Sequence, residues 1–239
     1  MRKLRSYDIL DYLKKRKRCT LSELMERFGV SSATIHRDVA ELENRNAIER
    51  VRGGIVYADA PAPRPGSGDY QDRVIANSAA KDRIAKKALK LVAEGDILFL
   101  DSSTTVYSFA RLLRQQRFDH LTILTNSVSI MQNFRKFPQH WVLIGLGGNY
   151  DPQLNSILGA EALRQLGEFN ITKCFVSAFG LDARTATTNH ERQSELIKKV
   201  LDMAERRYLL VDRSKFGRTG LYRLSARGAF DEIITDHKA

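Results

Sequence analysis

Between residues 97 and 235 the chain carries six short apolar runs: ILFL at 97–100, LTILT at 121–125, WVLIG at 141–145, CFVSAFG at 174–180, YLLV at 208–211 and EIIT at 232–235. Amphipathic helical stretches separate them. Runs this short and this continuously apolar fit strands buried on both faces. Strands joined through helices pair in parallel by right-handed crossovers, so the pattern predicts an α/β fold, a mostly parallel sheet covered by helices on both sides. With 239 residues, 43% of them hydrophobic, the chain has room for two unequal cores.

A different pattern precedes the first run. Within residues 4–15, Ile9, Leu10 and Leu13 share one helical face. Thr20 and Glu23, in TLSE, have the spacing of a capping box before Leu24, Met25 and Phe28, and Gly29 is the expected stop. A third helical stretch, SSATIHRDVAELENR, covers 31–45. AIERVRGGIVYA then sets two β-like runs about Gly53 and Gly54, the mark of a tight hairpin. Three helices followed by a hairpin outline a winged helix-turn-helix. Next, ADAPAPRPGSG at 58–68 holds three of the five prolines and no apolar periodicity, as a linker does. The expected organisation is a winged helix-turn-helix domain at 1–58, a linker at 59–70 and a mostly parallel α/β domain at 71–239.

Lys plus Arg outnumber Asp plus Glu by 39 to 28, a net charge of +11, which favours a polyanion or a phosphorylated ligand as partner. The excess is spread over both parts, so charge alone locates no site. Cys19 and Cys174 are too few for a disulfide framework, and a reducing, cytoplasmic setting is expected. No stretch approaches the roughly 18 to 20 apolar residues of a membrane span. The five histidines show no metal-ligand spacing, so neither metal nor cofactor is expected.

In the third helical stretch, a wheel at about 100° per residue puts Ile35, Val39 and Leu42 on one narrow ridge and Arg37 about 200° from Ile35. Ala33, Ala40 and Asn44 lie near Arg37, with Thr34 and His36 on the flanks. A small Ala33 permits close approach to a surface, Arg37 can fork onto guanine or phosphate, and Ser31, Ser32 and Thr34 sit where a recognition helix meets backbone or base edges. Alone, such a face is merely solvated. Set between a capped helix and a Gly-Gly wing, it is shaped for a major groove. Arg50 and Arg52 at the wing are candidates for minor groove or phosphate. KKRKR at 14–18 fits phosphate contacts or a solubilising helix end equally. Asp38, flanking the ridge, is expected to fix Arg37 or a neighbouring helix.

DILFLDSSTTVYSFARLL reads as a strand ending in Asp101, a hydroxyl-rich turn and an amphipathic helix. Unpaired N–H groups and the dipole at such a helix start favour an anion. A lone SSTT is first of all an ordinary N-cap. However, LTN, GLGGNY, FGLDARTATTN and VDRSKFGR all fall where the carboxyl edge of the sheet should be, and that convergence points to a ligand site. Gly147 and Gly148 fit a turn as well, Asp182 and Asp212 fit caps, and Lys215 fits either a phosphate partner or a surface lysine.

LSELMERFGVSSATIHRDVAELENRNAIERVRGGIV resembles the N-terminal domain of the DeoR family of bacterial transcriptional regulators, whose core reads V-S-x-x-T-I-R-R-D-L and then R-x-x-G-G. KDRIAKKALKLVAEGDILFLDSSTT, LTNS, FGLD, DRSKFGR and FDEIITD resemble its effector domain, similar in fold to ribose 5-phosphate isomerase. The resemblance implies effector contacts from Asp101, Ser102, Ser103, Thr104, Thr105, Thr125, Asn126, Gly147, Gly148, Asp182, Asp212 and Lys215. It further implies a double-stranded DNA operator, a phosphorylated sugar effector and a homodimer or homotetramer acting as a repressor in carbohydrate metabolism. The chain departs from the pattern at three places. His36 replaces the first arginine of the R-R pair and cannot make its bidentate fork. Ser103 and Ser177 stand where the family commonly has glycine. The alternative, a sugar-phosphate isomerase with an accessory DNA-binding domain, needs a carboxylate base and an electrophile, for which Asp182 and Lys215 are the candidates. GLDARTA lacks the second acid of the isomerases' D-G-A-D-E turn, so no catalysis is expected.

Overall fold

The computed structural model describes residues 5, 8–10, 12–13, 16–44, 47–51, 53–57 and 70–237. The chain divides into two compact units, Met1–Arg64 and Pro65–Ala239. The expected linker lies outside the described residues except for Tyr70, which is buried and opens a helix.

In the first unit, the described positions from Arg5 to Arg16 are helical, and β1 (Arg18–Cys19), α1 (Leu21–Phe28), α2 (Ser32–Asn44), β2 (Ile48–Val51) and β3 (Gly54–Tyr57) follow. The capping box forms as its spacing predicts: Thr20 N donates to Glu23 Oε2 at 2.7 Å and Glu23 N to Thr20 Oγ1 at 3.1 Å. Gly29 ends α1 in the left-handed region, φ 60°, where a side chain is disfavoured. Ile35, Val39 and Leu42 are fully buried with Ile9, Leu13 and Leu24. Each such side chain contributes about 1.5–3 kcal/mol on leaving water.

One strand was not expected. β1 pairs antiparallel with β3, Arg18 opposite Val56 and Cys19 opposite Ile55, so the wing is a three-stranded sheet in the order β1-β3-β2. Two residues in a basic run show no alternation that would mark a strand. The two wing glycines do different work: Gly53 takes φ 96° in the turn, whereas a Cβ on Gly54 would lie 2.5 Å from the Cys19 carbonyl oxygen.

The second unit contains α3 (Tyr70–Ile75), α4 (Ser78–Leu89), β4 (Ile97–Leu100), α5 (Thr104–Leu113), β5 (Thr122–Thr125), α6 (Val128–Met131) and β6 (Val142–Gly145). Then come β7 (Asn149–Asp151), β8 (Ser156–Leu158), α7 (Ala160–Leu166), β9 (Ile171–Val176), β10 (Gly180–Leu181) and β11 (Thr185–Thr188). The unit closes with α8 (Glu191–Met203), β12 (Ala204–Leu210), β13 (Tyr222–Ala226) and β14 (Glu232–Ile234). Six strands form one sheet, ordered β14-β12-β9-β4-β5-β6, and all five pairs are parallel.

Successive strand residues point to opposite faces, and both faces are buried. Leu98, Leu100, Ile123, Phe175 and Leu210 pack with Ile84, Phe109 and Leu113 of α4 and α5. Phe99, Leu124, Cys174, Val176 and Leu209 pack with Leu166 of α7 and with Leu196 and Val200 of α8. Two-sided burial explains the apolar runs of the inner strands; β6, at the sheet edge, leaves Val142 54% exposed. CFVSAFG is not one strand: β9 ends at Val176, and the chain turns away before β10. The β7–β8 hairpin and the sheet β10-β11-β13 are additional antiparallel pieces, too short and too polar to show alternation. No helix among the described residues is long and apolar enough to cross a membrane.

The close approach at Gly54 predicts that Gly54→Ala costs roughly 1–3 kcal/mol, because β1 must shift. Gly53→Ala, strained but with open space around it, costs about 1–2 kcal/mol. Hydrogen exchange separates them. The Tyr57 amide donates to Lys17 O at 2.8 Å, across the β1 edge, and is expected to exchange markedly faster in Gly54→Ala than in Gly53→Ala; equal rates would overturn the close-approach account.

Candidate functional site

The first candidate surface is the outer face of α2. Ser31, Ser32, Ala33, His36 and Arg37 are exposed and Thr34 is half-buried, while the ridge beneath is fully buried. The Ser31 carbonyl accepts from Thr34 N and Ile35 N at 3.0 and 3.1 Å, and its hydroxyl bonds that of Thr34 at 3.0 Å, so the start of the helix is ordered by its own hydroxyls. No acid stands in the first turn. Asp38 is buried and accepts from Arg5 Nε at 2.5 Å, which ties α2 to the first helix and leaves Arg37 outside. Of the two roles expected for Asp38, this is the neighbouring-helix one.

Arg50 lies on β2 and donates to Glu43 Oε2 of α2 at 2.9 Å. Both side chains are more than a third exposed, so the pair is weak and a phosphate can replace its carboxylate. Arg52 is outside the described residues, as are the first two lysines of KKRKR. The rest of that run is not one helix end. Arg16 and Arg27 lie 5.7 and 4.6 Å from the Tyr12 ring centroid, Lys17 turns through φ 67°, and Arg18 belongs to β1.

The second candidate site opens at the carboxyl edge of the large sheet. Asp101 follows β4 and is completely buried. Its Oδ1 accepts from Ser103 N and its Oδ2 from Ser177 N, each at 2.8 Å, so one carboxylate holds the turn before α5 and the loop after β9. Burial pushes the carboxyl up to about 6 against the pull of these bonds. Ser103 is the N-cap of α5, accepting from Val106 N at 3.2 Å. Ser177 donates its hydroxyl to the Leu210 carbonyl at 2.7 Å and so narrows the cleft without offering a free hydroxyl proton.

Above this floor lies a cleft open to solvent, lined by polar and charged side chains. Of the residues expected to contact an effector, Ser102, Ser103, Thr104, Thr105, Asp212 and Lys215 line it. Asp101 supports it from beneath. The remaining five are engaged elsewhere. Thr125 donates to Leu100 O at 2.7 Å, and Asn126 donates to Ser156 Oγ at 2.8 Å. Gly147 N bonds Gln165 Oε1 at 2.8 Å, and Gly148 turns through φ 142° against β8. Asp182 caps its own turn, accepting from Arg184 N and Thr185 N at 2.7 Å each.

The cleft also takes residues that the sequence did not mark, among them Arg73, Asn77, Lys81, His190 and Gln193. Lys81 is almost fully buried, its ammonium donating to the carbonyls of Arg73 and Ala76, and burial pushes it down to about 8. Burial lowers Lys215 and His190 as well. Asp212 accepts from Ser214 N at 2.9 Å and Asn77 Nδ2 at 3.2 Å. Among the described residues, three cations, Arg73, Lys81 and Lys215, thus face one lining carboxylate, Asp212. Their mutual repulsion and the N-terminus of α5 both favour an anionic ligand. No cluster of three or more metal-ligating side chains occurs among the described residues.

Comparison with known proteins agrees with these features. Residues 5–60 match the model of a DeoR-like helix-turn-helix domain, and residues 76–237 that of the DeoR C terminal sensor domain. The HTH-type transcriptional regulator IolR of Bacillus subtilis (strain 168) is 32% identical over 222 residues, 92% of this chain and 86% of that protein. The lactose phosphotransferase system repressor of Lactococcus lactis subsp. lactis is 27% identical over 237 residues, 99% of this chain and 92% of its own. Among solved structures, ribose 5-phosphate isomerase A from Methanocaldococcus jannaschii aligns at 20% identity over 59% of this chain and 55% of that one, with TM-score 0.42. With a helix-turn-helix model on the first unit and a sensor model across most of the second, this chain belongs to the DeoR family of transcriptional regulators.

Proposed function

We propose that this protein is a cytoplasmic transcriptional repressor of a carbohydrate-metabolism operon, and that a phosphorylated sugar or related intermediate bound in the cleft sets its affinity for DNA. The observation that carries the reading is the division of α2, with a buried aliphatic ridge inside and exposed Ser31, Ser32, Ala33, His36 and Arg37 outside. Arg37 is assigned to base edges, Ser31, Ser32 and Thr34 to backbone or base edges, and Arg50 to phosphate after release from Glu43. One helix buries too little surface for operator affinity, which supports a homo-oligomer presenting paired heads to symmetric half-sites. The repressor among its relatives supports the direction of control and the sugar connection.

Binding without turnover is favoured by where the carboxylates lie. Asp182, needed as base by an isomerase reading, is committed to its turn and does not line the cleft, and the Asp212 carboxylate already serves Ser214 and Asn77.

Three outcomes test the proposal. On genomic fragments selected by the native protein, Arg37→Ala is expected to lose about 1–3 kcal/mol of preference over random DNA in competition anisotropy; full preference in the variant would remove α2 from base recognition. Inorganic phosphate at pH 7 is expected to raise the melting temperature of the full chain, and sulfate, whose charge is fixed across this range, to do so more at pH 7 than at pH 9, because protonated Lys81 attracts an anion and its proton is lost around pH 8. An equal or larger shift at pH 9 would exclude Lys81 from the anion site. Asp101→Asn keeps the shape but sets an amide donor against one of two backbone N–H groups, which costs roughly 1–3 kcal/mol and abolishes the phosphate shift while weak non-specific DNA binding persists.

A further inference from the structure

The segment that continues from the expected linker into the second unit is a wall of the cleft. α3 spans only six residues, Tyr70–Ile75, far below the length at which a helix is stable alone, so its order depends on what holds it. Four contacts do. Tyr70 is buried at one end. Arg73 donates from Nη2 to the Gln153 carbonyl at 2.7 Å, and its guanidinium lies 5.5 Å from the Tyr70 ring centroid. Lys81 reaches back to the carbonyls of Arg73, in α3, and of Ala76, just after it. Asn77, at φ 56°, makes the turn into α4 and donates to Asp212 Oδ1 and Ser214 Oγ at 3.2 and 3.3 Å.

Two of these tethers, Arg73 and Lys81, are also cations of the cleft. Arg73 lines the cleft together with Lys81, His190 and Lys215. One of its partners, the Gln153 carbonyl, is neutral, and a phosphate oxygen is a stronger acceptor for a guanidinium than a carbonyl.

We propose that Arg73 is an effector-binding residue that exchanges the Gln153 carbonyl for the anionic group of the ligand, so that occupancy of the cleft is registered as the ordering of α3. The proposal rests on the anion-binding reading of the cleft given above. Arg73 and Lys81 draw the carboxyl end of α3 toward the ligand from two sides, and α3 is the first described element after the segment leading from the DNA-binding unit.

Hydrogen exchange on the full chain, in inorganic phosphate against chloride at equal ionic strength, tests this. Two amides report separately: Val106 N at the start of α5, and Ala76 N, just after α3, which donates back to Asp72 O of that helix at 2.9 Å. Phosphate at about ten times its dissociation constant is expected to slow both by roughly tenfold. In Arg73→Ala the Val106 amide still slows and the Ala76 amide does not, while Arg73→Lys, which keeps the charge, recovers part of the α3 effect. Protection of Val106 without Ala76 in the native protein, or undiminished protection of Ala76 in Arg73→Ala, would overturn the role of Arg73. If phosphate slows neither amide, the anion-binding reading fails and takes this proposal with it.

Discussion

The cleft depends on a single buried carboxylate. Asp101 sits at the end of β4, beside the end of β9, and accepts one N–H from each of the two loops that leave those strands. Burying a carboxylate costs several kcal/mol unless its oxygens are satisfied, and a bond to a charged acceptor returns about 1.5–3 kcal/mol. The two bonds make the loop geometry and the charge mutually dependent: with either loop displaced, Asp101 would be a buried ion with a bare oxygen. This coupling keeps the hydroxyl-rich turn and the Ser177 loop in one fixed relation around the space a ligand would fill.

A similar arrangement governs α2. Its ridge is held by apolar packing, which sets depth but resists rotation about the helix axis only weakly, whereas the Asp38–Arg5 pair acts at a definite angle. Asp38 is fully buried and Arg5 mostly so; removing the arginine leaves an uncompensated acid in the core. The next residue along, Arg37, is thereby directed outward. In both units a buried acid that would not itself touch the partner decides where the contacting groups point.

The parallel sheet was legible because two-sided burial leaves an unmistakable trace, an uninterrupted apolar run. β1, the β7–β8 hairpin and the β10-β11-β13 sheet were not, because two to five residues on a partly polar surface carry no period. The turn at Ser102 to Thr105, with Asp212 and Lys215, was legible as polar loops at one sheet edge. Arg73, Asn77 and Lys81 were not. In SAAKDRIAKKAL a lysine beside aspartate looks like the solvated face of α4, and only the reversal at Asn77 turns Lys81 back onto the end of α3. Thr125, Asn126, Gly147, Gly148 and Asp182 lie on loops near the same edge but do not line the cleft: Thr125, Asn126 Nδ2, Gly147 N and Asp182 bond neighbouring strands and turns, and Gly148 packs against β8.

The departure at Ser103 has a definite chemical meaning. A helix begins with several N–H groups that have no partner within it, and these are what an anion normally meets. At α5 the Ser103 N–H is taken by Asp101 and that of Val106 by the Ser103 hydroxyl, which leaves Thr104 and Thr105 as the backbone donors of the first turn. Glycine at 103 would have freed the Val106 amide. The serine thus exchanges one amide donor for a firmer cap, and the anion-holding capacity of the cleft shifts from backbone dipoles toward Arg73, Lys81 and Lys215. Side-chain ammonium groups, unlike amides, respond to burial and to one another, so on the anion-binding reading proposed above the site would be sensitive to pH and to the position of α3 in a way that a nest of backbone N–H groups would not be.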